Sequence, residues 1–191
     1  RFMSRVFWWR ANATWWALIL IGLPLAFMVG SLIKGGSLLA SMEDGAGQLF
    51  VLAIIMFLLG PMEEFGWRGV VQPILQRHIA PFWAGGIIGL VWGVWHVPAF
   101  YLSSTVYGDW NFPLFLVGCI TLAILVTPIL NASRGSLLLP MIFHWQLIIP
   151  FWPDAQPWDT WILLGVTAVI VWFKRDMMFS RSGAITDVIP A

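Results

Sequence analysis

The stretch from Leu49 to Gln76 reads LFVLAIIMFLLGPMEEFGWRGVVQPILQ. It exceeds the about 20 apolar residues that a helix needs to cross a bilayer, yet it holds Glu63, Glu64 and Arg68 near its middle. An ionisable side chain at the centre of a membrane helix costs about 2.5–3.5 kcal/mol, so such groups normally face other protein groups or a water-filled cavity. The stretch therefore predicts a membrane helix that carries functional residues.

The composition of the whole chain agrees with a membrane protein. Of its 191 residues, 60% are hydrophobic and 10% are charged, against about 25% charged in a soluble domain. A soluble globular domain is therefore excluded, and residues 1–191 are predicted to form one all-α polytopic transmembrane domain. The net charge of +1 does not indicate a nucleic-acid partner. The single Cys119 excludes an intrachain disulfide.

Apolar blocks separated by charged or turn-forming residues predict about six transmembrane helices. The last two blocks are short for a bilayer crossing and need anchoring residues at their ends. The predicted spans are about Ala11 to Ile33, Leu49 to Gln76, Phe82 to Phe100, Phe112 to Asn131, Ser136 to Trp152 and Trp158 to Phe173.

The charges between these spans predict the orientation, because Lys and Arg concentrate in cytoplasmic loops. With both termini in the cytoplasm, one side holds Arg1, Arg5, Arg10, Arg77, Arg134, Lys174, Arg175 and Arg181. The other side holds Lys34 together with Glu43, Asp44, Asp109, Asp154 and Asp159. Moving the count by one helix would destroy this separation, so the pattern predicts an even number of crossings.

Within the second span, the two adjacent carboxylates have different surroundings. Glu64 and Arg68 are four residues apart with the acid first, the favourable order for an ion pair on one helix face. Glu63 is turned by about 100° from Glu64 around the helix and cannot share that pairing equally. It is the carboxylate without a cation, and Pro61 just before it could kink the helix and admit water or polar groups.

Two histidines lie at a depth where they could meet Glu63. Counting about 1.5 Å per residue from the cytoplasmic ends of the spans, Glu63 and His96 lie roughly 20 Å deep and His144 roughly 12–15 Å deep. Each histidine alone is well explained by a hydrogen bond between helices. Together with an unpaired carboxylate at similar depth, they predict a shared polar site.

A carboxylate and two imidazoles can support two kinds of chemistry. They can deprotonate and orient a water and stabilise the oxyanion formed at a peptide carbonyl, which requires no cofactor. The same Glu63, His96 and His144 could instead hold Zn²⁺, since two histidines and one glutamate are a known catalytic set. The spacing of the residues does not separate these alternatives.

Three motifs resemble those of a known family. They read EEFGWR at 63–68, WGVWH at 92–96 and HWQLI at 144–148. This pattern resembles the CPBP family of intramembrane proteases, which includes type II CAAX prenyl endopeptidases and bacterial bacteriocin-processing and immunity-related members. The resemblance covers about residues 49–150.

The resemblance implies a role for each matched residue. Glu63 would activate the water, Glu64 and Arg68 would form a supporting ion pair, and His96 and His144 would complete the site. It also implies an integral protein of a bacterial cytoplasmic membrane.

The third motif departs from the family at Ile148, where Asn or Asp is usual. The family's fourth polar group, which helps to hold the oxyanion, is therefore missing at this position. Gln146 is another amide nearby, although it lies on a different helix face from Ile148.

The leading interpretation is an intramembrane endopeptidase that acts in the lipid bilayer on a membrane-anchored or hydrophobic peptide. The alternative is a catalytically silent membrane scaffold or immunity protein that keeps the fold and binds a partner peptide in the cavity, and Ile148 favours it. A proton-coupled transporter that uses Glu63 is a third interpretation. The absence of an internal sequence repeat disfavours it.

Overall fold

The computed structural model describes residues 1–39, 45–102 and 106–190. Within these residues every regular element is helical, which confirms the all-α prediction. Among the same residues, four helices are long and apolar enough to cross a membrane: α1 (Ala13–Ile33), α2 (Gly47–Gln76), α3 (Pro81–Tyr101) and α4 (Phe112–Ala132). Shorter helices follow as α5 (Leu138–Ile148), α6 (Trp158–Phe173) and α7 (Arg175–Phe179). Two 3-10 helices cover Met3–Phe7 and Val106–Asp109.

Helix α2 changes its geometry four times around the charged residues. Its regular first part tightens into a 3-10 turn at Gly60–Met62, which contains Pro61. One α-helical turn, Glu63–Gly66, is followed by a wider π turn at Trp67–Val71 before the α-helix resumes. Such π turns are rare and occur frequently at functional sites. The backbone irregularity of α2 therefore coincides with its ionisable residues.

Helices α3 and α4 approach each other closely through glycines on one face of α3. A Cβ atom built on Gly89 would lie 2.5 Å from the Cα of Ile120 on α4, so only glycine fits there. Gly85 and Gly93, one turn to either side, also face α4 at short distance. Small residues spaced four apart allow this kind of backbone contact between membrane helices. The packing fixes the position of the residues at the end of α3.

The apolar core lies between α1, α4, α5 and α6. It contains Trp15, Ile19, Leu23, Ala26, Leu125, Val126, Ile129, Leu139, Phe143 and Leu163. Many large apolar side chains on the outer faces remain exposed, for example Leu20, Phe50, Leu58, Val94 and Trp172. A continuous apolar exterior of this kind suits lipid rather than water, as expected for an integral membrane protein.

The N-terminal segment and the C-terminal tail meet at one end of the bundle, called here the Arg5 end. Arg5 is fully buried and donates from Nε to the carbonyl of Gly135 at 2.7 Å and from Nη1 to those of Val188 at 2.7 Å and Gly69 at 3.0 Å. Burial lowers the pKa of Arg5 to about 10, which leaves the guanidinium charged at neutral pH. Both ends of the described chain therefore share one end of the bundle. Its assignment to the cytoplasm, and the count of six crossings, stay predictions.

The opposite end carries acidic residues that the sequence placed on the non-cytoplasmic side. Lys34 and Asp154 form an exposed ion pair there, and both line a shallow surface cavity together with Asp109. Glu43 and Asp44, assigned to the same side, lie outside the described residues.

Candidate active site

Glu64 forms the centre of a buried polar cluster. Its Oε1 atom accepts hydrogen bonds from Arg68 Nη1 at 3.2 Å and from His144 Nδ1 at 2.8 Å. Glu64 and Arg68 are each 2% exposed, and His144 is 4% exposed. The ion pair predicted from the spacing of Glu64 and Arg68 is therefore confirmed. The second oxygen of Glu64, Oε2, is buried without a hydrogen-bond partner in the described structure.

Glu63 points in a different direction and is only partly buried. Its Oε2 atom accepts hydrogen bonds from the indole nitrogens of Trp92 at 2.9 Å and Trp67 at 3.3 Å. Within the described residues, no cation lies at ion-pair distance from its carboxylate, as the spacing predicted. Its Oε1 atom has no protein hydrogen bond in the same part of the chain.

His96 caps the α-helical part of α3. Its Nδ1 atom lies 2.8 Å from the carbonyl oxygen of Trp92, so Nδ1 carries the proton and donates it. His144 likewise uses Nδ1 toward the Glu64 carboxylate. In a neutral histidine, an Nδ1 atom that donates a hydrogen bond carries the proton, and Nε2 then keeps a lone pair. Both histidines can therefore accept a proton on the same kind of nitrogen.

Trp92 connects the residues that the sequence singled out. Its ring centre lies 5.6 Å from that of His96 and 5.4 Å from that of His144, and the Arg68 guanidinium carbon lies 5.9 Å from its ring. Its indole nitrogen reaches Glu63. The sequence marked Trp92 only as the aromatic residue of a motif. Trp92 lies four residues before His96, on the same helix face, and has an N–H group to donate. These two facts could have identified it as a site residue from the sequence.

Both histidines and Trp92 line a cavity of about 120 Å³. One ordered water needs about 10–15 Å³, so the cavity has room for several. The predicted convergence is thus present for His96 and His144, whereas Glu63 is not among the described lining residues. Glu63 reaches the cavity wall through its hydrogen bond to Trp92.

Tyr107 is a further lining residue, from the 3-10 helix before α4. Its ring centre lies 5.7 Å from that of His96. Burial raises the pKa of the Tyr107 phenol, with smaller contributions from Cys119 and Glu63. The hydroxyl therefore stays protonated and can donate a hydrogen bond.

Ile148 occupies the cavity wall one turn beyond His144. A Cβ atom built on Gly60 would lie 2.1 Å from Cδ1 of Ile148 and 3.4 Å from Nε2 of His144. The 3-10 turn of α2 therefore packs directly on α5, and a side chain at position 60 would displace the end of the Ile148 side chain. Gln146 does not line the cavity but accepts a hydrogen bond from Trp152 at 2.9 Å, so it does not supply the amide missing at position 148.

The side chains present do not fit the zinc alternative. In the described ranges, no three His, Cys, Asp or Glu residues are grouped closely enough to hold a metal ion. The physical reason is that Glu63 is turned toward two indoles while His144 is bound to Glu64.

Three polar residues of the cavity wall were not predicted from the sequence to belong to the site. They are Gln156, Asp159 and Thr160 at the start of α6. These residues follow a loop and begin an apolar helix, and only the packing of α6 on α1 and α4 brings them to the cavity.

Comparison with known proteins identifies the family. The family described as type II CAAX prenyl endopeptidase Rce1-like matches residues 45–147. A protein named CAAX prenyl protease 2 from Methanococcus maripaludis is 25% identical over 178 residues, which cover 87% of this chain and 65% of the relative. Lysostaphin resistance protein A from Staphylococcus haemolyticus is 23% identical over 133 residues, covering 66% of this chain and 35% of the relative.

The chain thus spans less than two thirds of the length of each of these relatives. The family match itself covers more than half of the chain and contains all five candidate residues, Glu63, Glu64, Arg68, His96 and His144. The resemblance found in the motifs is confirmed, and the chain belongs to the Rce1-like type II CAAX prenyl endopeptidase family.

Proposed function

We propose that the protein is an intramembrane endopeptidase in which Glu63 activates the attacking water. The difference between the two adjacent carboxylates carries this proposal. Glu64 has one oxygen bound to Arg68 and His144 and the other sealed from solvent. Glu63 is partly exposed, has no cation and keeps Oε1 free of protein hydrogen bonds within the described residues. Of these two carboxylates, Glu63 is therefore the one with an oxygen available to a water.

The remaining residues have distinct tasks in this mechanism. Trp92 donates to Glu63 and orients its carboxylate. Glu64, neutralised by Arg68, holds His144 with its Nε2 lone pair available. The imidazoles of His96 and His144 then bind the reacting groups and transfer protons at the cavity.

The developing oxyanion needs a hydrogen-bond donor. Ile148 has no polar group, so the donor has to come from another residue. The protonated hydroxyl of Tyr107 supports this role, since Tyr107 lines the cavity beside His96. A preorganised donor is worth most in a site that excludes bulk water.

The proposed substrate is a membrane-anchored or hydrophobic peptide. The cavity wall is largely apolar, and Trp92, Tyr107, Trp110 and Phe115 contribute aromatic rings to it. The name of the Methanococcus relative adds the proposal that a prenylated cysteine near the scissile bond improves the substrate. The proposed location is a bacterial cytoplasmic membrane.

The test compares the protein with Glu63→Gln in liposomes. The probes are internally quenched peptides that end in a CAAX sequence (Cys, two aliphatic residues and one further residue), with the cysteine either farnesylated or free. The glutamine still accepts the Trp92 hydrogen bond but cannot take a proton, so we expect turnover to fall by about 10²–10⁴-fold. Asp176→Asn removes an exposed carboxylate on α7 and should leave turnover unchanged. Cleavage by Glu63→Gln at the unaltered rate would refute the proposal.

A second function is favoured by two observations. Ile148 removes a polar group from the cavity, and Glu63 does not line it. A silent membrane scaffold or immunity protein would bind a peptide there without cleaving it. The Staphylococcus relative is named as a resistance protein and not as a protease. Saturable binding of the quenched peptides with no product after prolonged incubation would favour this function over the peptidase.

A further inference from the structure

The cavity that holds both histidines also contains a carboxylate with no assigned role. Asp159, in the first turn of α6, lines this cavity and is 7% exposed. Neighbouring wall residues Gln156 and Thr160 are polar as well. The cavity therefore has an acidic part in addition to the part with His96 and His144.

The bonding of Asp159 leaves room for a cation. Its Oδ1 atom accepts from the backbone N–H of Thr160 at 2.7 Å, and Oδ2 has one donor, the Gln156 amide, at 3.5 Å. Within the described residues, no Lys, Arg or His nitrogen lies within 4.0 Å of its carboxylate. Lys34, on a neighbouring loop, is paired with Asp154 instead. A buried carboxylate normally needs such a partner.

Two features hold Asp159 in place at the cavity wall. The N-terminus of α6 favours a negative group in its first turn. Gly30 of α1 packs directly on this turn, since a Cβ atom there would lie 3.0 Å from the Asp159 nitrogen and 2.9 Å from Cβ of Ala155. The carboxylate is thus held at the cavity wall by backbone packing, independently of any ligand.

The approach to this part of the cavity is acidic. The shallow surface cavity next to it shares Trp110 and Gln156 with it and is also lined by Lys34, Asp109 and Asp154. Its two carboxylates outnumber its single ammonium group, so the local field attracts cations. Trp110, in the wall of both cavities, offers an aromatic face that also suits a cation.

We infer that Asp159 forms a subsite that binds a cationic group of the peptide substrate while the bond next to it is cleaved between the histidines. This inference rests on the proposed peptidase function. The ligand chemistry is an ammonium or guanidinium group, supplied either by a Lys or Arg side chain or by a free α-amino group of the peptide.

The experiment uses pairs of quenched peptides that differ only by Lys or norleucine, scanned through the positions flanking the cleaved bond. Each pair is made with a free and with an acetylated N-terminus, which separates the two sources of positive charge. We expect the Lys or free-amine peptide to be preferred, and Asp159→Asn to lower its kcat/KM by at least about tenfold, mainly through KM. The norleucine peptide should change less than about twofold, as expected for a neutral group.

Two further variants separate recognition from structure. Asp176→Asn removes an exposed carboxylate on α7 that lines neither cavity in the described residues, and it should leave the preference intact. Asp159→Glu keeps the charge and should restore part of the preference. An equal loss for both peptides in Asp159→Asn, or no preference for the charged peptide, would overturn the inference.

Peptide binding to Glu63→Gln, followed by fluorescence anisotropy, tests the subsite without cleavage. Tighter binding of the charged peptide that depends on Asp159 would support the subsite. If the unaltered protein nevertheless cleaves neither peptide, only the peptidase proposal is refuted. Equal binding of both peptides, combined with cleavage of both, would refute the subsite alone.

Discussion

The ion pair between Glu64 and Arg68 should show strong energetic coupling in a double-mutant cycle. The two groups are 3.2 Å apart, and their side chains are 3% and 2% exposed. At an effective dielectric constant of about 20, this separation corresponds to an attraction of about 5 kcal/mol. Removing one partner leaves the other charge buried, which typically costs about 3–5 kcal/mol.

We expect Glu64→Gln and Arg68→Met each to lower the free energy of unfolding by about 3–5 kcal/mol. The double variant buries no uncompensated charge. Its loss of unfolding free energy should therefore be smaller than the sum of the two single-variant losses by at least about 2 kcal/mol. This value exceeds the coupling of about 0.6 kcal/mol that is typical of hydrogen bonds between membrane helices. The assay is unfolding by sodium dodecyl sulfate in mixed micelles, followed by the fluorescence of the 14 tryptophans.

The pair between Lys34 and Asp154 is the matched control. Its side chains are 43% and 53% exposed, and exposed pairs contribute about 0–1 kcal/mol. The cycle of Lys34→Met and Asp154→Asn should therefore be nearly additive. Equal coupling energies in the two cycles would refute the reasoning, because burial would then make no difference to the pair.

Two other substitutions test the site and the packing of the helices. Trp92→Phe keeps the ring but loses the N–H that reaches Glu63 at 2.9 Å, so kcat should fall about tenfold or more with little change in KM, because a hydrogen bond to a charged group is worth about 1.5–3 kcal/mol. An unaltered kcat in the quenched-peptide assay would contradict an orienting role. Gly89→Ala places a methyl group against α4, whereas Gly86→Ala meets no atom within 4 Å. The first should lower the free energy of unfolding by about 1–3 kcal/mol, the second should not, and equal results in detergent unfolding would contradict the close approach.

Local spacing predicted the parts of the site that lie within one helix. The pairing of Glu64 with Arg68 and the separation of Glu63 from it depend only on helical periodicity, and both are present. The choice of partner for His144 depends on the rotation and shift of α5 against α2. A one-turn uncertainty at a helix boundary is enough to move His144 from one carboxylate to the other.

The arrangement of the helices also limited what the sequence could predict. The sequence marked Pro61 as a point of irregularity, and it gave no signal for the wider turn at Trp67–Val71. Helix α5 is shorter than its apolar block, because Ile149 already has extended backbone angles. Burial of Arg5 could not be expected either, since its partners are carbonyls of distant segments.

The contacts of Arg5 have a consequence for the order in which the chain assembles. Its hydrogen-bond partners Gly135 and Val188 lie 130 and 183 residues further along the chain. During synthesis Arg5 leaves the ribosome before either of these partners has been made. That end of the bundle therefore closes only after the segment that contains Val188 has been synthesised. A shortened chain that ends before Val188 would leave the Arg5 guanidinium without one of its carbonyl partners, so this end of the bundle should be less stable in it.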